Sequence, residues 1–449
     1  KPPYYAALLR TATDGLITGV NPDSGTVSLW MGGMTPHAIA YLQPNSRLAV
    51  MPMTSLEADG SQGQLLELTI QSRSGLAAAA KVPEGETMPA VGQSVYEQVR
   101  ILPKNIDLVV ALDPTLERVE RVDATSALSG FSFVSALAKG EQRADCLFGR
   151  LPKVSAEPLT AVLPATPDVD PQSLGLAQTA EPEGLERSYG LFAPNRTLLP
   201  GTLIAKGEAV KTAVNRIAPH LQMLLAMKLL RLTENAQSSQ LAVRVSLEAT
   251  YPEEQLLAQW ETLRFSSPLS NLQGAKLAQA EAVPLQIHRD SRLRYQVSNH
   301  TQQLLYLTFV RFDSRGQFLA LVPDIPKSRP ASERQDFIAD GAVLAPGETR
   351  SIPEQPADWG VAPQVTWVET FLIFSTEPFE KTWDLWQNGG DVPQQPGLQR
   401  FDQPLKVARA LLADLHEGSL TYDGKLAAID QYSLHMASWA TIQVRYPVV

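Results

Sequence analysis

The residues with the most chemical potential are thinly spread. Cys146 is the only cysteine, set in Arg143-Ala144-Asp145-Cys146-Leu147-Phe148-Gly149-Arg150. A nucleophilic thiol needs a lowered pKa and a histidine within reach, and the next histidine toward the C-terminus is His220. The plainer account of Cys146 is a small buried hydrophobe on a strand, since unpaired cysteine is among the most buried residue types. The histidines are His37, His220, His288, His300, His416 and His435, and no two fall at His-Glu-x-x-His or another short ligand spacing. A metal needs several converging ligands, so the sequence assigns no metal site. Asp113 ends the apolar run Leu108 to Leu112, and α/β folds often place reactive groups at the carboxyl ends of strands. Asp113-Pro114 also reads as a helix N-cap and first helical residue, which explains the pair without catalysis. Glu117, Glu120 and Asp123 alternate with Arg118 and Arg121, a spacing that makes surface ion pairs.

The chain has no Gly-x-Ser-x-Gly segment, P-loop or dinucleotide fingerprint. Gly32-Gly33 leads into Met34-Thr35-Pro36 rather than a phosphate-binding helix. Asn195-Arg196-Thr197 and Asn299-His300-Thr301 match the glycosylation pattern, which carries meaning only in a secreted eukaryotic protein. Aromatic residues crowd the C-terminal half: Tyr306, Phe309, Phe312, Phe318, Trp359, Trp367, Phe371, Phe374, Trp383 and Trp386. They could line a carbohydrate or peptide groove, but core packing is the simpler expectation for aromatic side chains. No catalytic, cofactor-binding or metal-binding residue is therefore assigned, and no cofactor is expected.

The elements that must position these residues come from a chain of 449 residues, enough for several domains. Hydrophobic residues make up 44% and charged residues 19%, a globular balance rather than a disordered one. A net charge of −9 without a basic stripe argues against nucleic acid and anionic lipid as partners. No apolar run reaches the roughly 18 residues of a membrane span. One cysteine permits no internal disulfide and suits a reducing, cytoplasmic setting. The first residue is Lys1, and Lys-Pro-Pro-Tyr-Tyr lacks the apolar core of a signal peptide. The chain thus reads as a piece of something longer.

The pattern predicts an α+β multidomain protein. Residues 1–104 read as a small β-barrel or sandwich, with short runs at Leu16 to Val20 and Thr26 to Met31 split by Asn21-Pro22-Asp23-Ser24-Gly25. That separator combines the residues a hairpin turn demands. Leu65 to Gln71 and Ser94 to Leu102 are further strands. Residues 105–250 read as an α/β domain, its buried strand Leu108 to Leu112 feeding a helix through Leu128. A Pro- and Ala-rich insertion covers residues 151–188. Residues 207–234 are helical by their apolar spacing, and Pro219 should split or kink the helix. Leu241, Val243, Val245 and Leu247 alternate as a half-buried strand. Residues 251–283 read as a helical linker, with the helix at 253–264. Residues 284–382 switch to period two and predict a β-sandwich, with Asp313-Ser314-Arg315-Gly316 as a hairpin turn. Residues 383–449 read as helical, with helices at 404–416 and 424–435 and a last strand at Ala440 to Tyr446.

Longer strings add a resemblance. Val99 to Ile106, Val110-Ala111-Leu112-Asp113, Leu116 to Ala127, Gly140-Glu141-Gln142, Ala144 to Arg150 and Gly207 to Thr233 together resemble the C-terminal region of long cyanobacterial caspase-like proteins (the peptidase C14, orthocaspase-type family). Residues 284–378 look like an uncharacterised bacterial domain that follows caspase-like or kinase domains. They carry Tyr306-Leu307, Asp313-Ser314-Arg315-Gly316, Val322-Pro323 and Pro346-Gly347-Glu348. The resemblance implies a parent cysteine peptidase that uses a Cys–His dyad and cleaves after Arg or Lys. This chain departs from that pattern: it has neither the Asp-x-Cys-His-Ser-Gly segment nor the upstream His-Gly segment. No catalytic residue carries over. The resemblance then implies a non-catalytic accessory region whose partner is an upstream caspase-like domain or another protein. A stand-alone binding or structural protein, with the sandwich as its contact surface, is the alternative. A hydrolase using Asp113 or Cys146 ranks last.

Overall fold

The computed structural model describes residues 13–51, 65–137, 144–150, 188–204, 207–262, 285–322, 342–353, 360, 362, 364–388, 397–422 and 428–449. These residues are mostly β, with five helices and several sheets. The chain divides into two units, Lys1–Ile106 with Gln222–Val449, and Asp107–Leu221.

The larger unit begins with β1 (Gly15–Asn21), β2 (Thr26–Trp30), α1 (Pro36–Ala40), β3 (Arg47–Val50), β4 (Leu66–Ser74), β5 (Ala77–Lys81) and β6 (Ser94–Pro103). The first hairpin turn works as its residues require: Asn21 Oδ1 accepts from Ser24 N, and Gly25 takes a φ of +64°. β1 pairs with β6 at Gly15↔Val95, which closes the order β1-β2-β5-β4-β3-β6 into a six-stranded barrel. Alternating Ile17, Val27, Leu29, Leu48, Leu68 and Ile70 fill its interior. Thr35 caps α1 by accepting from Ala38 N, and the helix sends Ile39 into the same core.

The smaller unit holds β7 (Leu108–Leu112), α2 (Arg118–Leu128), β8 (Val134–Leu137), β9 (Cys146–Arg150), β10 (Tyr189–Phe192) and the first half of α3 (Val210–Arg231). Its sheet runs β10-β9-β7-β8, with β7 parallel to β8 and β9, and β10 antiparallel to β9. A parallel pair needs a crossover, and α2 supplies it between β7 and β8. α3 runs through Pro219 as one helix rather than splitting there. Pro219 and Asn215, whose carbonyl loses its partner, both lie on the exposed side, where water replaces the lost bond.

The rest of the larger unit contains β11 (Val243–Tyr251), β12 (Gln255–Glu261), β13 (Arg292–Asn299), β14 (Leu305–Asp313), β15 (Phe318–Val322), β16 (Val343–Leu344), β17 (Thr349–Ile352), β18 (Trp367–Ser375), α4 (Glu380–Asn388), β19 (Gly397–Arg400), α5 (Pro404–Leu420), β20 (Gln431–His435) and β21 (Trp439–Pro447). Two sheets, β12-β11-β13-β17 and β19-β15-β14-β18-β21, share one core in which Val245, Leu247, Tyr295, Phe309, Leu372 and Ile442 meet. This is a sandwich wider than residues 284–382, since β11 and β12 enter from before that range and β21 from after it.

Two expected helices are strands. Residues 253–264 hold β12, where a register shift leaves Leu257 as an extra residue between Ala258 and Leu256. The bulge breaks the period-two pattern and so imitates helical spacing. Residues 424–435 hold β20 (Gln431–His435), which pairs with Val99–Pro103 of β6 on the edge that β1 takes at Ser94 and Val95. An unfilled sheet edge there outweighs local propensity. The linker 251–283 is accordingly a strand over Gln255–Glu261, and the segment 383–449 carries β19, β20 and β21 beside its helices. Residues 151–187 of the Pro-rich insertion, and Trp359, lie outside the described residues.

Candidate functional site

β6 carries an acid and a base that the sequence reading passed over. Its register shifts between Leu48↔Glu97 and Arg47↔Val99, so Gln98 is an extra residue on that strand. On a regular strand, residues three apart face opposite sides. The bulge returns Glu97 and Arg100 to the same side, the one that Leu48 and Val95 share. Their side chains are only 0% and 3% exposed.

The pair is tightly organised. Arg100 Nε donates to Glu97 Oε1 at 2.7 Å and Nη2 to Oε2 at 2.5 Å. Its Nη1 donates to the carbonyls of Leu232 and Glu234 at 2.7 and 2.9 Å, and the guanidinium lies 6.0 Å from the Trp439 ring centroid. Burial opposes the Arg100 charge, but Glu97 outweighs it with its charge and hydrogen bond, so the pKa is raised. Asp14 Oδ2 accepts from Glu97 N at 2.6 Å, and Oδ1 accepts from Ser238 Oγ at 3.0 Å. Asn235 reaches β21, accepting from Thr441 N and donating to the Trp439 carbonyl. Trp439 Nε1 donates to the Thr233 carbonyl at 2.9 Å.

These contacts surround a small cleft lined by Asp14, Thr35, Arg100, Glu234, Asn235 and Ser238, among others, with about 10 Å³ of free space. That is room for one water at most. Glu234 faces it. Burial pushes the Glu234 carboxyl up and Glu97 adds to this, while Arg100, the Thr35 hydroxyl and the Ala236 amide oppose it.

The residues singled out by sequence lie elsewhere. Cys146 is fully buried on β9, opposite Val110 of β7. Asp113 is not the cap of α2. Its Oδ1 accepts from Thr115 N and Oγ1 in a separate turn, and Arg196 lies 3.6 Å from Oδ2. The helix starts at Glu117 instead, whose amide donates to Glu120. Glu120 is no simple surface partner either. It accepts from Arg150 and from Tyr189 Oη, and although burial works against its charge, these donors hold its carboxyl below the usual range.

His37, His288 and His300 are exposed, and His220, His416 and His435 are half-buried. Burial lowers the pKa of His220, His300, His416 and His435. Among the described residues, no three His, Cys, Asp or Glu side chains gather as a metal would need. The aromatic residues Phe309, Phe312, Phe318, Phe371 and Phe374 are core, as packing predicts. Asn299 of the second glycosylation pattern is buried and donates to the Gln303 and Leu344 carbonyls.

Fold and site together define a multidomain, mostly β protein with a closed barrel whose inner rim carries a buried ion pair. Among the described residues, no helix is long and apolar enough to cross a membrane. In comparisons with known proteins, no family model, curated protein or solved structure matches the chain.

Proposed function

We propose that this chain is a non-catalytic accessory region of a caspase-like cysteine peptidase, one that would cleave after Arg or Lys. Its role would be to hold a partner, a substrate or the catalytic domain in place. The observation that supports this reading is the use made of the buried charges. Arg100, Asp14 and Asn235 direct hydrogen bonds at backbone atoms of β6, β21 and the segment 232–234, which ties these segments together. The sequence resemblance supplies the family. The test is to mix the purified chain with fluorogenic Arg- and Lys-peptides, alone and beside an active caspase-like peptidase. No turnover by the chain alone, and a changed rate for the peptidase, is the expected result. Turnover that Cys146→Ala abolishes would overturn it.

A second reading, a stand-alone binding protein, is favoured by the outer face of β12-β11-β13-β17. That face carries the pairs Arg244–Glu261 and Arg294–Glu248 beside an exposed Leu256. Co-purification of a partner that Arg244→Glu with Arg294→Glu abolishes, with the fold intact, would favour this reading over the first.

A further inference from the structure

Two rings and two carboxylates converge where α4 begins. Tyr306 of β14 pairs with Ser375 of β18, and just beyond it the Glu377 amide donates to Ser375 Oγ at 3.1 Å. The stem of Glu377 lies against α5, since a Cβ at Gly418 would stand 3.2 Å from the Glu377 Cβ. Glu380 opens α4, and Trp383 follows three residues later, a spacing that puts both on one side of the helix. That side meets β14, because the Trp383 ring lies 6.0 Å from the Tyr306 ring at an angle of 59°. Trp383 tucks its Nε1 out of water, while both rings stay half-buried.

The charges here are one-sided. Burial raises the pKa of Tyr306, and the charges of Glu377 and Glu380 add to the rise. Burial also raises Glu377, and Glu380 again adds to it. Both carboxylates therefore stand beside the aromatic pair. Among the described residues no Lys or Arg forms an ion pair with either, and Lys381, next to Glu380 in the chain, is taken by Glu417. The faces of aromatic rings attract cations. A flat guanidinium suits this surface best, because it stacks on a ring while its N–H groups donate to carboxylates.

We propose that the Tyr306–Trp383 face is a docking site for an arginine side chain of a partner protein. The guanidinium lies on the rings and donates to Glu377 and Glu380. The match is one of charge: the face brings two carboxylates without a countercharge, and the partner brings the cation.

NMR of the full chain with the peptide acetyl-Gly-Arg-Gly-amide tests this, read at the Trp383 indole N–H. The expected result is a saturable shift that the same peptide with citrulline, alike in shape but uncharged, does not produce. Glu377→Gln with Glu380→Gln should weaken binding about tenfold. Equal shifts with the citrulline peptide, unchanged affinity in the double variant, or no saturable shift with the arginine peptide overturns the proposal. No peptidase enters the mixture, so each outcome is independent of the accessory role.

Discussion

Glu97–Arg100 in the larger unit and Glu120–Arg150 in the smaller one are the same chemical pair in different surroundings. Arg100 is enclosed, and its remaining donors are taken by the carbonyls of Leu232 and Glu234. The Arg150 side chain is 19% exposed and shares its charge between Glu120 and the largely exposed Glu117. Arg150 is the more open of the two to water, and Arg100 meets only the small cleft. Charge alone therefore does not set the worth of a salt bridge. Burial and backbone acceptors do.

Breaking the buried pair is the strongest test of this contrast. Arg100→Ala should cost about 3–5 kcal/mol in urea unfolding, because Glu97 is left charged and enclosed. Replacing both members by Glu97→Leu with Arg100→Met should recover much of that loss. A double replacement as damaging as the single one would show that the carbonyl contacts matter more than the charges.

Asp414 extends the comparison to a buried carboxyl without a matching guanidinium. It accepts from Lys381 N, Thr382 N and Thr382 Oγ1, and burial, opposed by these bonds, pushes its pKa up to about 6. A raised carboxyl pKa stabilises the fold fully below the unfolded value and loses that contribution as pH rises through about 6. Stability measured from pH 3.5 to 7 should carry a decline from this group of about 3 kcal/mol, absent in Asp414→Asn. An unchanged profile in the variant would assign the decline to other groups.

At the mild end, Cys146→Ala removes a sulfur from a filled sheet interior and should cost about 1–2 kcal/mol. Native Cys146 should also resist thiol reagents until unfolding, and rapid labelling in the folded state would contradict its enclosure. Arg150→Ala should cost less than Arg100→Ala, and less in high salt than in low. A larger, salt-independent loss would place this pair with the buried one.

Local chemistry was legible where a turn or a period acts alone. Asp313 to Gly316 makes the expected hairpin, with Asp313 Oδ1 accepting from Arg315 N and Gln317 N and Gly316 at a φ of +77°. α5 and β21 also follow from their periods. What failed to show were features created by pairing between distant segments. The bulge at Leu257 depends on the strand opposite, and β20 depends on an edge of β6 far away in the chain. The buried ion pair was hidden for the same reason. Glu97 and Arg100 share a side only because Gln98 bulges, although two opposite charges inside Val95 to Leu102 were the available signal. Asp113 misled because its side chain makes a turn of its own just before the true helix start.

The strand β20 has a consequence for how this protein is made. Gln98 of β6 and His435 of β20 are 337 residues apart, yet their side chains lie 3.3 Å from each other. During synthesis, the seventh position of the first sheet stays vacant until Gln431–His435 has been made, long after β6 itself. The N-terminal barrel therefore cannot mature on its own schedule, and its open edge at Val99–Pro103 is exposed to other nascent chains meanwhile. A polypeptide that stops before Gln431 should aggregate more readily than one that includes β20.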